Sequence, residues 1–89
     1  MDETTLLPAH PGEVLRDWMR GNHMTISATA DLLGVSTSQL GRVVAGKARL
    51  SATVAVRLER LGWSTAEVWS RMQAAWEVAE ARRVEDAAA

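Results

Sequence analysis

Thr37, Ser38, Gln39 and Arg42 lie close together in the stretch GVSTSQLGRVVAGK, residues 34–47. All four can form hydrogen bonds and none is acidic. Hydroxyl, amide and guanidinium groups are what distinguishes base edges in the major groove of DNA, and a guanidinium can pair bidentately with guanine O6 and N7. That makes Arg42 the leading candidate for a base contact, with a phosphate contact or a solvated side chain as its alternatives. Gln39 ranks below Thr37 and Ser38, because it also stands where a helix-cap partner would. Lys47 and Arg49, just beyond, suit phosphates better than bases.

The surrounding residues form elements that would present these groups. Gly34 can take the left-handed conformation that ends one helix. Ser36 can cap the next, with Gln39 completing a Ser-x-x-Gln capping box and Val35 and Leu40 placed as a hydrophobic staple. This helix is expected to end at Gly46, with Val35, Leu40, Val43 and Val44 turned inward. Thr25 is the best cap for the helix before it, which runs through Ala30, Leu32 and Leu33. Ala30 is small where the two helices must cross. Residues 25–46 thus read as helix, turn, helix. Gly41 is the flaw: inside a helix it costs about 0.5–1 kcal/mol relative to alanine. Either it is tolerated or it lets the backbone approach a phosphate.

Three further helices complete the reading. His10-Pro11-Gly12-Glu13 opens the first, with Pro11 at N1 and Glu13 near the positive end of the dipole. Val14, Leu15, Trp18 and Met19 recur at helical spacing, and Gly21-Asn22 ends the helix. Ser51 caps a fourth helix, with Val54, Ala55, Leu58 and Leu61 inward and Gly62 at its end. Ser64-Thr65-Ala66-Glu67 reads as a second capping box, with Trp63 and Val68 as its staple. The fifth helix is long, to about Arg83, with an apolar stripe of Val68, Trp69, Met72, Ala75, Trp76 and Ala79. Four helices bury most of what a small core can hold, so the stripe is read as a partner surface, with Trp69, Met72, Trp76 and Ala79 as the interface between copies. Residues 84–89 are expected to fray and residues 1–9 to form a mobile lead. No strand pattern is convincing.

With 89 residues the chain fits one domain, and its small core makes oligomerisation a reasonable source of stability. It has no cysteine, which excludes disulfides and cysteine metal sites and fits a reducing cytoplasm. MDETTLLPAH is acidic and lacks the basic and apolar pattern expected of a signal peptide, and no apolar run approaches the roughly 20 residues that span a bilayer. Net charge is −1, but it is unevenly spread: residues 1–23 sum to −2, residues 24–60 to +3 and residues 61–89 to −2. The cationic segment holds the helix-turn-helix. Acidic flanks weaken non-specific DNA affinity, which scales with phosphates neutralised, and so favour a two-subunit binder. His10, Glu13 and Asp17 could be drawn as a metal cluster, but a cap and two solvated carboxylates is the better reading. The four tryptophans read as core and interface, not as a ligand box. No catalytic constellation stands out, and neither an enzymatic activity nor a cofactor is expected.

Four pieces together carry a resemblance: His10-Pro11-Gly12-Glu13; Ala30-Asp31-Leu32-Leu33-Gly34-Val35-Ser36; Gly46-Lys47 followed by Arg49-Leu50-Ser51; and Trp69 with Gln73-Ala74-Ala75-Trp76. Over residues 9–83 the chain resembles the HigA (VapI-type) antitoxins, a branch of the phage-repressor-like helix-turn-helix superfamily. The resemblance implies an all-α fold of five helices with a long C-terminal helix, a homodimer and a palindromic operator in double-stranded DNA. It also implies a toxin partner, a HigB-like mRNA endonuclease of the RelE-like type, and repression of the pair's own operon. Carried onto this chain, base-reading positions fall on Thr37, Ser38 and Arg42, and phosphate-anchoring positions on Thr25, Ile26, Ser36 and Lys47. Gln39 stands where the branch often has arginine and Gly41 where it has a polar residue, which bears on the operator sequence. Two other readings stand beside this one: a stand-alone regulator without a toxin, and a protein-binding module that has lost DNA contact.

Overall fold

The computed structural model describes residues 8–89, so the expected mobile lead over residues 1–9 falls largely outside the described residues. Five helices follow one another: α1 (Pro11–Gly21), α2 (Ile26–Leu33), α3 (Thr37–Val44), α4 (Ala52–Arg60) and α5 (Ala66–Ala88). The fold is all-α, as the resemblance implies. α3 packs on α1 and α2, while α5 packs on α4 and α1.

Side-chain caps start each helix where the sequence supplies an acceptor. His10 Nδ1 accepts from the Gly12 amide at 2.9 Å, Thr25 Oγ1 from Ala28 at 3.0 Å and Ser51 Oγ from Val54 at 3.2 Å. Gly34 and Gly62, at φ 66° and 82°, turn the chain out of α2 and α4. The Val35 amide then donates to the Ala30 carbonyl, and that of Trp63 to Leu58, which occupies carbonyls that a helix end would otherwise leave unpaired.

The cap of α5 differs from expectation. Ser64 has φ 64° and lies in the turn, and Thr65 caps the helix by accepting from the Val68 amide at 3.2 Å. Glu67 is therefore one position too early to close a box. Glu59, from α4, instead accepts from the Ala66 amide at 2.9 Å and places its charge at the positive end of α5. Nor does the helix stop near Arg83. It continues through Ala88, because residues 84–88 include good helix formers and no breaker.

The core gathers Leu15 and Met19 from α1, Ala30 and Leu33 from α2, Leu40, Val43 and Val44 from α3, and Val54, Ala55 and Leu58 from α4. Trp63 and Trp69 close it, with Trp18 leaning on both at ring-centroid distances of 5.9 and 6.5 Å. Trp69 is 0% exposed and its indole N–H donates to the Trp63 carbonyl. It belongs to the interior of one protomer and has no surface to offer a second copy. Its place on the stripe marked the apolar side of α5 but not how far along α5 the core extends.

Candidate nucleic-acid interface

α3 is held from both sides. On the α1 side, Gly12 lies so close that a Cβ there would sit 1.9 Å from the Val43 carbonyl oxygen, and Arg16 donates to the Val44 carbonyl at 3.1 Å. On the other side the turn into α3 is fixed from α4, where Arg57 donates to the Leu33 carbonyl at 2.6 Å. Both arginines place positive charge at a helix C-terminus, where the dipole favours it. Arg57 is thus spent inside the fold, although the charge sum counts it with the cations around the helix-turn-helix.

With Leu40, Val43 and Val44 buried, the opposite face of α3 is free. Thr37, Ser38, Gln39 and Arg42 are all exposed. Ser36 Oγ accepts from the Gln39 amide at 3.0 Å, so half of the capping box forms. The Gln39 side chain makes no return bond among the described residues and points into solvent with the other three. Gly41 has nothing within 4 Å of a would-be Cβ. At the start of α2, Thr25 and Ile26 are exposed, and the first-turn amides of Ile26 and Ser27 have no partner within the helix. Such amides suit a phosphate.

The loop from α3 to α4 carries Lys47 and Arg49. Gly46, at φ 75°, turns the chain, and the Lys47 and Ala48 amides both donate back to the Arg42 carbonyl, at 2.8 and 3.2 Å. The far end of the loop is tied to α5: the Leu50 amide donates to Gln73 Oε1 at 2.8 Å, with Gln73 only 2% exposed. One turn along α5, Glu77 pairs with Arg49 at 3.1 Å. The Arg49 guanidinium holds the Glu77 carboxyl below the usual carboxylate range. Lys47 forms no such pair among the described residues.

His10 joins these elements. Its ring stands edge-on to Trp76, with centroids 4.7 Å apart at 78°, beside a shallow recess lined by Lys47, Arg49 and Glu77. Burial pushes its pKa below the ordinary 6.5, against the opposing influence of Glu13, the Ala48 backbone and Glu77. With Nδ1 accepting a backbone N–H, the neutral ring is the form that fits. Among the described residues no three His, Asp or Glu side chains gather to hold a metal, and no helix is long and apolar enough to cross a membrane.

Met72, Trp76 and Ala79 are partly exposed along α5, in contrast to Trp69. Sequence reasoning did not single out Gly12, Arg16, Arg57, Gln73 or Glu77 for what they do. Gly12 stands in the helix-opening His10-Pro11-Gly12-Glu13 and Gln73 in a motif of resemblance, neither with a packing role, and nothing local marks an arginine as the cap of a distant helix.

The helix-turn-helix family model (HTH_3) matches residues 15–61, more than half of the chain. This chain belongs to that family. Virulence-associated protein I of Dichelobacter nodosus is 34% identical over 74 residues, spanning 81% of this chain and 68% of that protein. The antitoxin HigA of Pseudomonas aeruginosa, solved with the higBA promoter, superposes with a TM-score of 0.83 at 30% identity, covering 89% of this chain and 87% of the HigA chain. An uncharacterised HTH-type transcriptional regulator of Escherichia coli, YddM, is 26% identical over 76 residues, 85% of this chain and 81% of its own. The HigA- and VapI-type resemblance of the sequence holds, and the fold matches that of the HigA antitoxin.

Proposed function

We propose that this chain is the antitoxin of a toxin–antitoxin pair, that it binds a palindromic operator as a homodimer through α3, and that it represses its own operon. Its partner is a HigB-like, RelE-type mRNA endonuclease. The observation that carries the DNA half is the face of α3: four hydrogen-bonding side chains, Thr37, Ser38, Gln39 and Arg42, are exposed together on a helix held from both sides. Arg42 reads a base, Thr37, Ser38 and Gln39 contact base edges at the helix N-terminus, and Thr25, Ile26, Ser36 and Lys47 position the backbone. The HigA structure with its promoter supports this use of the fold.

Binding to the chain's own upstream DNA, measured at several salt concentrations, tests the reading. The expected result is a sequence preference and an affinity that falls linearly in log salt. Lack of preference at every salt would refute the repressor half. The likeness to YddM, an HTH-type transcriptional regulator, supports the DNA-binding half alone, and beside the antitoxin stands a second reading, a regulator with no toxin. The two part on the neighbouring gene. A small basic product that arrests growth, and is relieved by co-expression of this chain, supports the antitoxin; arrest without relief refutes it.

A further inference from the structure

We propose that Glu77 withholds Arg49 from the phosphate backbone, so that α5 sets how strongly the α3–α4 loop grips DNA. This rests on the operator-binding reading above. Arg49 leaves a loop with little freedom, since the Ala48 amide is bonded to the Arg42 carbonyl and the Leu50 amide to Gln73. The guanidinium meets Glu77 at 3.1 Å, and the two side chains are 63% and 45% exposed. A pair this open exchanges readily with solvent and ions, so a phosphate can compete for Arg49 but must displace a carboxylate already in place. Gln73 and Glu77 are one turn apart on α5, and the buried Gln73 fixes the loop against the same turn that holds the counter-ion. Lys47, on the same loop and exposed without a carboxylate partner among the described residues, is an internal comparator.

The test is a double-mutant cycle of Glu77→Gln and Arg49→Ala in the full chain, read as operator affinity against salt, with Lys47→Ala alongside and Glu77→Ala as a second removal of the carboxylate. In the wild type, Arg49→Ala lowers affinity less than it does in the Glu77→Gln background and lowers the salt slope by well under about 0.9, because a phosphate reaches Arg49 only by displacing Glu77. Glu77→Gln raises affinity about two- to fivefold. It steepens the slope by as much as about 0.9, the value of one phosphate contact. Arg49→Ala in the Glu77→Gln background removes that gain, whereas Lys47→Ala weakens binding in every background.

A Glu77→Gln gain that persists without Arg49 would reduce Glu77 to general acidic repulsion and overturn the proposal. So would a drop of about 0.9 in slope on Arg49→Ala in the wild type, or a loss of affinity on Glu77→Gln. The wild-type Arg49→Ala measurement can overturn the proposal by itself, without the Glu77 variants. No sequence-preferring binding by the wild type overturns the repressor reading and this inference together; binding with additive effects overturns the inference alone.

Discussion

The first turn of α1 meets the last turn of α3 backbone to backbone, with space at residue 12 for a hydrogen and nothing larger. Gly12→Ala must push α1 and α3 apart, a change of the overpacking kind, and is expected to cost about 1–3 kcal/mol of unfolding free energy in urea. Gly41→Ala is the opposite case. Its Cβ enters open space in a helix interior, so it should stabilise by about 0.5–1 kcal/mol. If operator affinity then falls while stability rises, Gly41 serves close approach to a phosphate; unchanged affinity leaves it as a tolerated defect. His10 gives a pH dependence of definite sign. Its folded-state pKa lies below the unfolded value near 6.5, so the unfolded chain binds more protons in the interval between them. Its contribution is complete above about pH 6.5 and is lost as pH falls through the folded-state value. Urea midpoints should decline from pH 7.5 toward 5, and His10→Asn, which keeps an acceptor at the cap, should flatten that decline. An equal slope in the variant would place the titration elsewhere.

At the scale of elements, the helices were legible because their starts and stops are written in local chemistry. Thr25, Ser36 and Ser51 cap where a hydroxyl precedes an apolar period, and Gly34 and Gly62 end helices because each takes a left-handed φ. The start of α5 was misread because Ser64 and Thr65 are both competent caps, and only the left-handed turn after Gly62 decides between them. The extent of α5 beyond Arg83 was not legible because chain ends commonly fray, whereas residues 84–88 hold helix formers and no breaker that would stop the helix. What positions α3 was not legible. Arg16, Arg57 and Gln73 reach backbone groups 28, 24 and 23 residues away, and no spacing rule spans such distances. The half-formed capping box at α3 separates stability from reading. Ser36→Ala should cost about 1 kcal/mol, because it leaves the Gln39 amide without its acceptor. Gln39→Ala should stay within about 0.5 kcal/mol yet alter the preferred operator. Equal destabilisation by the two would mean that the box closes in solution and that Gln39 is occupied by it.

For the whole molecule, the folded charge distribution is sharper than the sequence sum. Of the five cations between residues 24 and 60, Arg57 is turned onto a helix end, Arg49 is paired and Arg60 lies on α4 beside the α2–α3 turn, so the exposed charge on α3 and the loop after it is chiefly Arg42 and Lys47. So little free positive charge, with acidic segments on either side, gives one copy a weak hold on DNA, because that term follows the number of phosphates neutralised. Two copies whose reading helices lie about 34–36 Å apart would engage successive grooves and act as a single binder. Helix α5 is the surface suited to join them. Its 23 residues span about 35 Å. The core takes Trp69 and Gln73, whereas Val78 is 48% exposed and residues 81–89 are exposed throughout. Ala79→Glu places a charge on this stripe beyond the protomer core, so the monomer should fold with its melting little changed. Sedimentation should show the dimer dissociating, and operator affinity should fall ~10²-fold as avidity is lost, while the preference among operator sequences survives in what remains. A variant that stays dimeric with full affinity would move the interface off this part of α5, and a wild type already monomeric at the concentrations that bind DNA would remove the need for one.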